Sequence, residues 1–224
     1  MKKNKQKIKL DWKSKFMDLL IVIIGITIAF KLNAWNQTIE TKSKVDDYIE
    51  NFNSEIISNK ESLDIAIAFS ETNYKNIDSL KIILLTKNYT DSRILLLSSS
   101  MMAMANFTPS ITTMENILAS GDFDLIKDIE LRKSIINTYN NYQTTANLEK
   151  LLTDYVSEYV SPFFFENIRF SDFSSIHPDY TKDPVFENIV FGYEVLLNQL
   201  INGYKVNSEI QKDLNEKLNS IKAD

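Results

Sequence analysis

Phe16-Met17-Asp18-Leu19-Leu20-Ile21-Val22-Ile23-Ile24-Gly25-Ile26-Thr27-Ile28-Ala29-Phe30-Lys31-Leu32-Asn33-Ala34-Trp35 decides how the rest of this 224-residue chain is organised. From Leu19 to Phe30 only Gly25 and Thr27 interrupt an apolar run. With its flanks the stretch makes about 20 residues, or roughly 30 Å of helix, which matches a bilayer's hydrocarbon core. Asp18 and Lys31 stand near its ends, where a short acid reaches the headgroups and a lysine snorkels, and Trp35 falls at an interfacial aromatic position. The stretch reads as a transmembrane helix with Asp18, Gly25, Ala29, Lys31 and Trp35 as its anchor residues. Gly25 and Ala29 form a small-xxx-small pair through which two spans can approach closely. A cleaved signal peptide needs a small-residue cleavage site after the apolar run, and Phe30 to Trp35 offers none. A buried or interfacial helix is the other alternative.

Seven lysines and a single acid, Asp11, precede the span, and the positive-inside rule holds such an end in the cytoplasm. The expected division is a basic cytoplasmic tail at 1–15, a transmembrane helix at 16–35 and an extracytoplasmic domain at 36–224. The expected location is the cytoplasmic (inner) membrane, crossed once, with the C-terminal domain in the periplasm. Beyond residue 15 the chain carries 18 basic and 29 acidic side chains, a net charge of −11. An acidic outer domain speaks against nucleic acid as its ligand, and the lysine tail reads as a topology and anionic-lipid signal.

Two segments resemble a known family. Asp18 to Phe30, followed by Asn33, Trp35 and Asn36, is similar to the start of an uncharacterised family (a domain of unknown function) of single-span membrane proteins from Bacteroidota. Those proteins typically read acid, aliphatic run, Gly-Ile-x-Ile-Ala, then Asn-x-Trp-Asn. Ser120-Gly121-Asp122-Phe123-Asp124-Leu125-Ile126-Lys127-Asp128-Ile129-Glu130-Leu131-Arg132 resembles a second segment of that family, Ser-Gly-x-Leu-x-Leu-Ile-x-x-x-x-Leu-Arg. Asp18, Lys31 and Gln37 stand where the family more often has Glu, Gln and Glu. The resemblance implies a single-span protein and brings no activity with it.

Only four glycines and four prolines punctuate the chain, too few turn signals for an all-β fold. Val45, Ile49, Phe52, Ile56, Asn59, Leu63, Ala66, Ser70, Asn73, Ile77, Leu80 and Leu84 recur at steps of four and three, which predicts a long helix continuous with the span. Polar Asn59, Ser70 and Asn73 within that seam argue for packing against later helices over an isolated coiled coil. A turn is expected at 88–92, then a short core helix over Arg93 to Ala105, rich in leucine and methionine. Thr112 to Glu115 fits a capping box that opens a helix ending near Gly121. A third long helix follows through Leu125, Ile129, Ile135, Tyr139, Tyr142, Leu148, Leu152, Tyr155 and Tyr159, with Pro162 ending it. Asp183-Pro184 predicts the start of the last helix, through Ile189, Tyr193, Leu196, Leu200, Ile210, Leu214 and Ile221, with Gly203 and Asn207 interrupting its seam. The expected fold is therefore all-α, an N-terminal transmembrane helix continuing into an extracytoplasmic helical bundle.

Chemical signatures are sparse. There is no cysteine, which removes disulfides and thiolate chemistry, and the one histidine, His177, lies before a proline where a turn residue is ordinary. Asp122, Asp124, Asp128 and Glu130 lack the glycine and the late glutamate of a calcium loop and read as helix-dipole acids. Neither glycine-rich phosphate motif occurs. No catalytic residue, metal site or cofactor is expected, and the chain reads as non-enzymatic.

The most distinctive feature is aromatic. Residues 155–193 hold 11 of the 23 Phe and Tyr side chains. These residues read first as a plug closing one end of the bundle. Phe163, Phe164, Phe165, Phe170 and Phe173 are the candidate partner or ligand surface. Two functions follow: a membrane-tethered module that binds a protein partner or forms a homo-oligomer, with the lipid bilayer as its other partner, or a small-molecule sensor using the aromatic segment as its pocket.

Overall fold

A computed structural model describes residues 12–222. The lysines of the expected cytoplasmic tail up to residue 9, with Asp11, lie outside the described residues. The described chain is nearly all helix, 84% of it. Six α-helices are present: α1 (Trp12–Leu85), α2 (Ile94–Ser99), α3 (Thr112–Ser120), α4 (Ile129–Tyr155), α5 (Ser161–Asn167) and α6 (Pro184–Lys222). The chain divides into two units between Asp47 and Tyr48.

In the first unit α1 carries its apolar side chains from Trp12 to Ile39 on every face, and all of them are exposed: Ile21 and Ile24 are 64% and 55% accessible, Phe30 71% and Trp35 65%. A helix that is apolar all round has no polar face to give to water. The most apolar 18-residue window has a mean hydropathy of 2.0 and none of it is buried. This is a helix long and apolar enough to cross a membrane.

In the second unit the predicted seam of α1 is the buried one. Ile49, Phe52, Ile56, Leu63, Ala66, Ile77, Leu80 and Leu84 are buried, and so are Asn59, Ser70 and Asn73. α4 runs parallel to this part of α1: the ring of Tyr139 packs edge-on against Phe52 at 6.1 Å, and the Asn59 amide lies 3.3 Å from the Tyr142 hydroxyl. α6 runs antiparallel to both. Lys81 and Glu71 of α1 pair with its Glu194 and Lys205, while Ser134 and Thr145 of α4 bond its Asp213 and Asn207. Gly192 and Gly203 allow this closeness. An added Cβ would come 2.2 Å from the Tyr155 hydroxyl at one and 2.4 Å from Leu148 at the other.

Several boundaries differ from the sequence expectation. The helix after Arg93 stops at Ser99 and tightens into a 3-10 turn over Ser100–Met102, and Ala103 is extended. Asn73 of α1 donates to the carbonyls of Ser100 and Ala103, taking over acceptors that a continuing helix would have used. Nor does the predicted capping box open α3. Ile111 stands at the N-cap without a side-chain bond, and the Thr113 N–H goes to Glu55 of α1 at 2.9 Å. The end of α3 is as expected, with Gly121 left-handed at φ +74°. α4 begins at Ile129 with the Asp128 carboxylate accepting from Glu130 and Leu131, so Leu125 and the 57%-exposed Ile129 fall outside its seam. Leu131, Ser134, Thr138, Thr145, Glu149 and Val156 are buried there together with Ile135, Tyr142 and Leu152.

Pro162 does not end the helix. One turn of π-helix over Val156–Val160 precedes it, and α5 continues to Asn167. The wider turn shifts the hydrogen-bond register ahead of the residue that has no N–H to give. A two-residue antiparallel hairpin follows, β1 (Ile168–Arg169) with β2 (Ser174–Ser175). α6 starts at Pro184 as expected, with the Asp183 carboxylate accepting from Val185 N–H at 2.8 Å. Its seam differs from the prediction: Leu197, Ile201, Tyr204, Gln211 and Leu218 are buried, while the predicted Leu196, Ile210 and Ile221 are only half-buried.

Candidate functional site

Two features of the second unit carry information beyond packing: an extended strap laid against the bundle with Phe107 buried beneath it, and an aromatic cleft at the end where α1 stops.

The strap runs from Ala103 to Ile111. Backbone without a helix or ladder needs side-chain partners when buried, and the polar residues of the long seams supply them. Asn59 clamps Ser110 from both sides, its oxygen accepting from the Ser110 N–H at 2.7 Å and its amide donating to the Ser110 carbonyl at 2.8 Å. Glu149 accepts from the Phe107 N–H and the Tyr204 hydroxyl, both at 2.6 Å. Tyr204 also reaches the Ala105 carbonyl at 3.4 Å. Glu55 accepts from the Ser110 hydroxyl, the Thr113 N–H and hydroxyl, and the Tyr139 hydroxyl. Phe107 is buried edge-on against Tyr142, 5.5 Å away. Burial first, and then the neighbouring Glu55 and Glu149 carboxylates, push the Tyr139 and Tyr204 hydroxyls well above the ordinary tyrosine range. Asn59 and Asn73, which interrupt the α1 seam, are thus clamps of the strap, together with Glu55 of α1, Glu149 of α4 and Tyr204 of α6, whereas Asn207 bonds Thr145 of α4.

The cleft has a volume of about 420 Å³ and is lined by Ser92, Leu95, Leu96, Ser99, Met102, Phe164, Ile168, Phe170 and Phe173. On α2, Ile94 and Ser98 turn into the core with Met101 beyond them, which leaves Leu95, Leu96 and Met102 for the cleft wall. The hairpin forms the other wall. Period-2 alternation puts Ile168 and Phe170 on one side and Arg169 on the other. Phe173 closes the hairpin turn at φ +54°, a left-handed conformation that side chains rarely take.

Of the five candidate aromatics, the structure brings Phe164, Phe170 and Phe173 to the cleft. Phe165 stands beside them, 65% exposed, with its ring 5.3 Å from that of Phe170. Phe163 belongs instead to the core, stacked on Phe186 at 5.4 Å and tilted against Tyr180. The aromatic plug is therefore partial: Phe163, Phe164, Tyr180, Phe186 and Tyr193 are buried, while Phe165, Phe170, Phe173 and Tyr159 are exposed. Leu96, 73% exposed, was expected in the core. Three successive leucines on a six-residue helix cannot all face inward, and that was the available signal. Asp18, Gly25, Ala29, Lys31 and Trp35 all lie exposed on α1, and Gly25 has nothing within 4 Å of where a Cβ would be.

A second, more polar hollow of about 410 Å³ lies beyond Phe163, lined among others by Glu166, His177, Asp179 and Asp183. Asp179 pairs with Lys182 at 2.6 Å and Asp183 caps α6, so two of its three acids already have local work. Of the acids near residue 125, Asp128 caps α4, Asp124 pairs with Arg132 at 2.7 Å and Asp122 accepts from Tyr48 at 3.0 Å. Among the described residues no group of three His, Asp or Glu side chains is placed to hold a metal ion.

No protein-family model matches this chain, and no curated protein or solved structure is similar to it.

Proposed function

We propose that this chain is a membrane-anchored, non-enzymatic helical module that takes the apolar face of a partner protein's helix into its aromatic cleft. The observation that carries the reading is the cleft itself, open and uncharged, with Leu96, Phe170 and Phe173 exposed around it. Exposed aromatics around a dry depression are where binding energy concentrates in protein interfaces. The wall has little to offer a polar ligand or an extended backbone: its polar groups include two serine hydroxyls, and that of Ser99 is donated to the Leu96 carbonyl at 2.7 Å. A helix brings no free backbone groups along its side, so it fits such a wall without a desolvation cost. The lining holds no acid, base or thiol, which supports a binding role over a catalytic one.

The proposal includes the inner membrane as the site of the anchor, the periplasm as the bundle's compartment, and kinship with the single-span family that two segments resemble. Photo-crosslinking from Leu96 and Phe173 in native membranes tests the cleft. A discrete protein adduct is expected, reduced at least about tenfold by Phe170→Asp, in line with losing a central aromatic anchor. Adducts with small molecules alone would instead favour a sensor, since a volume of this size also suits a small ligand.

Orientation has its own test in a chain free of cysteine. Ser43→Cys should react with a membrane-impermeant maleimide on intact cells, and Asn4→Cys only after lysis. The reverse pattern would place the bundle in the cytoplasm.

A further inference from the structure

The polar hollow beyond Phe163 is built from three pieces of chain: the end of α5, the stretch around His177 and Tyr180, and the start of α6. We propose that it is a binding site for a small organic amine, whose ammonium group is held by Glu166, Asn167 and Tyr180.

The bonds its wall leaves unmade select the ligand. Asn167 and Tyr180 are each only 8% exposed, and polar side chains buried so far normally have partners for all their groups. The Asn167 amide nitrogen donates to the Phe163 carbonyl at 2.9 Å, which fixes the orientation of the amide and leaves its oxygen as the end without a partner. The Tyr180 hydroxyl also lacks a partner, although the N–H and carbonyl of the same residue are bonded to His177 and Asp183. Both side chains line the hollow.

The charges point the same way. Glu166 makes no bond to the described residues, whereas Asp179 and Asp183 each commit one oxygen, to Lys182 and to the Val185 N–H, and keep the other. No lysine or arginine lines the hollow. Glu166 and Asn167 close α5, so the last carbonyls of that helix and the negative end of its dipole lie beside them. The opposite pole, at the start of α6, is already answered by Asp183. Carboxylates, an amide oxygen and a hydroxyl that can accept call for a ligand bringing both donors and positive charge, and an ammonium group brings three N–H donors. A bare metal ion fits less well, because no three His, Asp or Glu side chains among the described residues converge on one point. The volume of about 410 Å³ has room for a carbon stem, which Phe163 and Val185 can cover. The hollow shares no lining residue with the aromatic cleft, so its occupancy is independent of the partner proposed there.

The test is a calorimetric titration of the full chain, in a neutral detergent, with putrescine. Saturable binding is expected. Glu166→Gln should weaken it about fivefold or more, and Tyr180→Phe about threefold or more, both with the circular dichroism of the parent, since nothing in the fold bonds either group. Glu209→Gln, at an exposed acid roughly 40 Å along α6 from Asp183, should leave it unchanged. Succinate, of similar size but opposite charge, should give no binding heat. The amine site is overturned by the absence of saturable putrescine binding. Equal affinities in the parent and all three variants would also overturn it, since they would mean general attraction to an acidic surface. So would displacement of putrescine by an equal concentration of magnesium ion, which would make this a divalent-cation site.

Discussion

Glu149→Leu is expected to lower the unfolding free energy by about 2–4 kcal/mol, because one buried donor is left without an acceptor at about 1–3 kcal/mol and a second keeps only the longer of its two bonds, to the Ala105 carbonyl. The donors are the Phe107 N–H and the Tyr204 hydroxyl, and Glu149 is itself only 7% exposed. Leucine fills similar space but accepts nothing, so the strap loses its central tie while the packing around it stays intact. Glu149→Gln keeps one acceptor oxygen and should cost less than half as much. Urea unfolding of the solubilised chain, followed by far-ultraviolet circular dichroism, measures both. A loss below about 1 kcal/mol for Glu149→Leu would mean that the strap is not held as described, since one unmade buried bond alone should exceed it.

The other large effect belongs to alkaline pH. Burial pushes the Tyr193 hydroxyl up to about 12 from an ordinary value of 10.0, and Tyr139, Tyr142 and Tyr204 are pushed higher still. A raised folded-state pKa means that the unfolded chain gives up its proton first. The stabilisation is therefore complete below pH 10 and is lost as pH climbs through the folded value. Two pKa units correspond to about 2.7 kcal/mol, so Tyr193 alone removes nearly that much by pH 12. Tyrosinate absorbance should rise in two phases, with these four of the ten tyrosines ionising only as the helical signal collapses. A single smooth titration with the fold intact at pH 12 would contradict their burial.

Asp18, Gly25, Ala29 and Trp35 sit on one uninterrupted helix, and the Ser120-Gly121-Asp122 segment forms the left-handed end of α3 with Tyr48 bonded to Ser120 and Asp122.

The sequence by itself determined the long helices and most of what they bury. Apolar spacing at fours and threes is a property of the helix alone, which is why the α1 seam from Ile49 to Leu84 was legible with its polar members Asn59, Ser70 and Asn73, while the buried Glu55 and Ile83 beside it were not. The all-round apolar run up to Phe30 was equally legible, as were the Asp183-Pro184 start and the Gly121 stop, because each rests on local backbone chemistry. Tertiary structure decided the rest. Whether Arg93 to Ala105 stays helical depends on Asn73, which lies some 30 residues away and takes the carbonyls of Ser100 and Ala103. Whether Thr112 caps α3 depends on Glu55, which reaches Thr113 first. Pro162 is tolerated because a π-turn ahead of it shifts the hydrogen-bond register. The split of the phenylalanines into a core pair with Phe186 and a cleft against Leu95 and Leu96 needed the hairpin and α2 to be placed side by side. Apart from the π-turn, which adjoins Pro162, the deciding partner is distant in sequence, and no local pattern encodes a hydrogen bond or a contact whose other half arrives only when the chain folds.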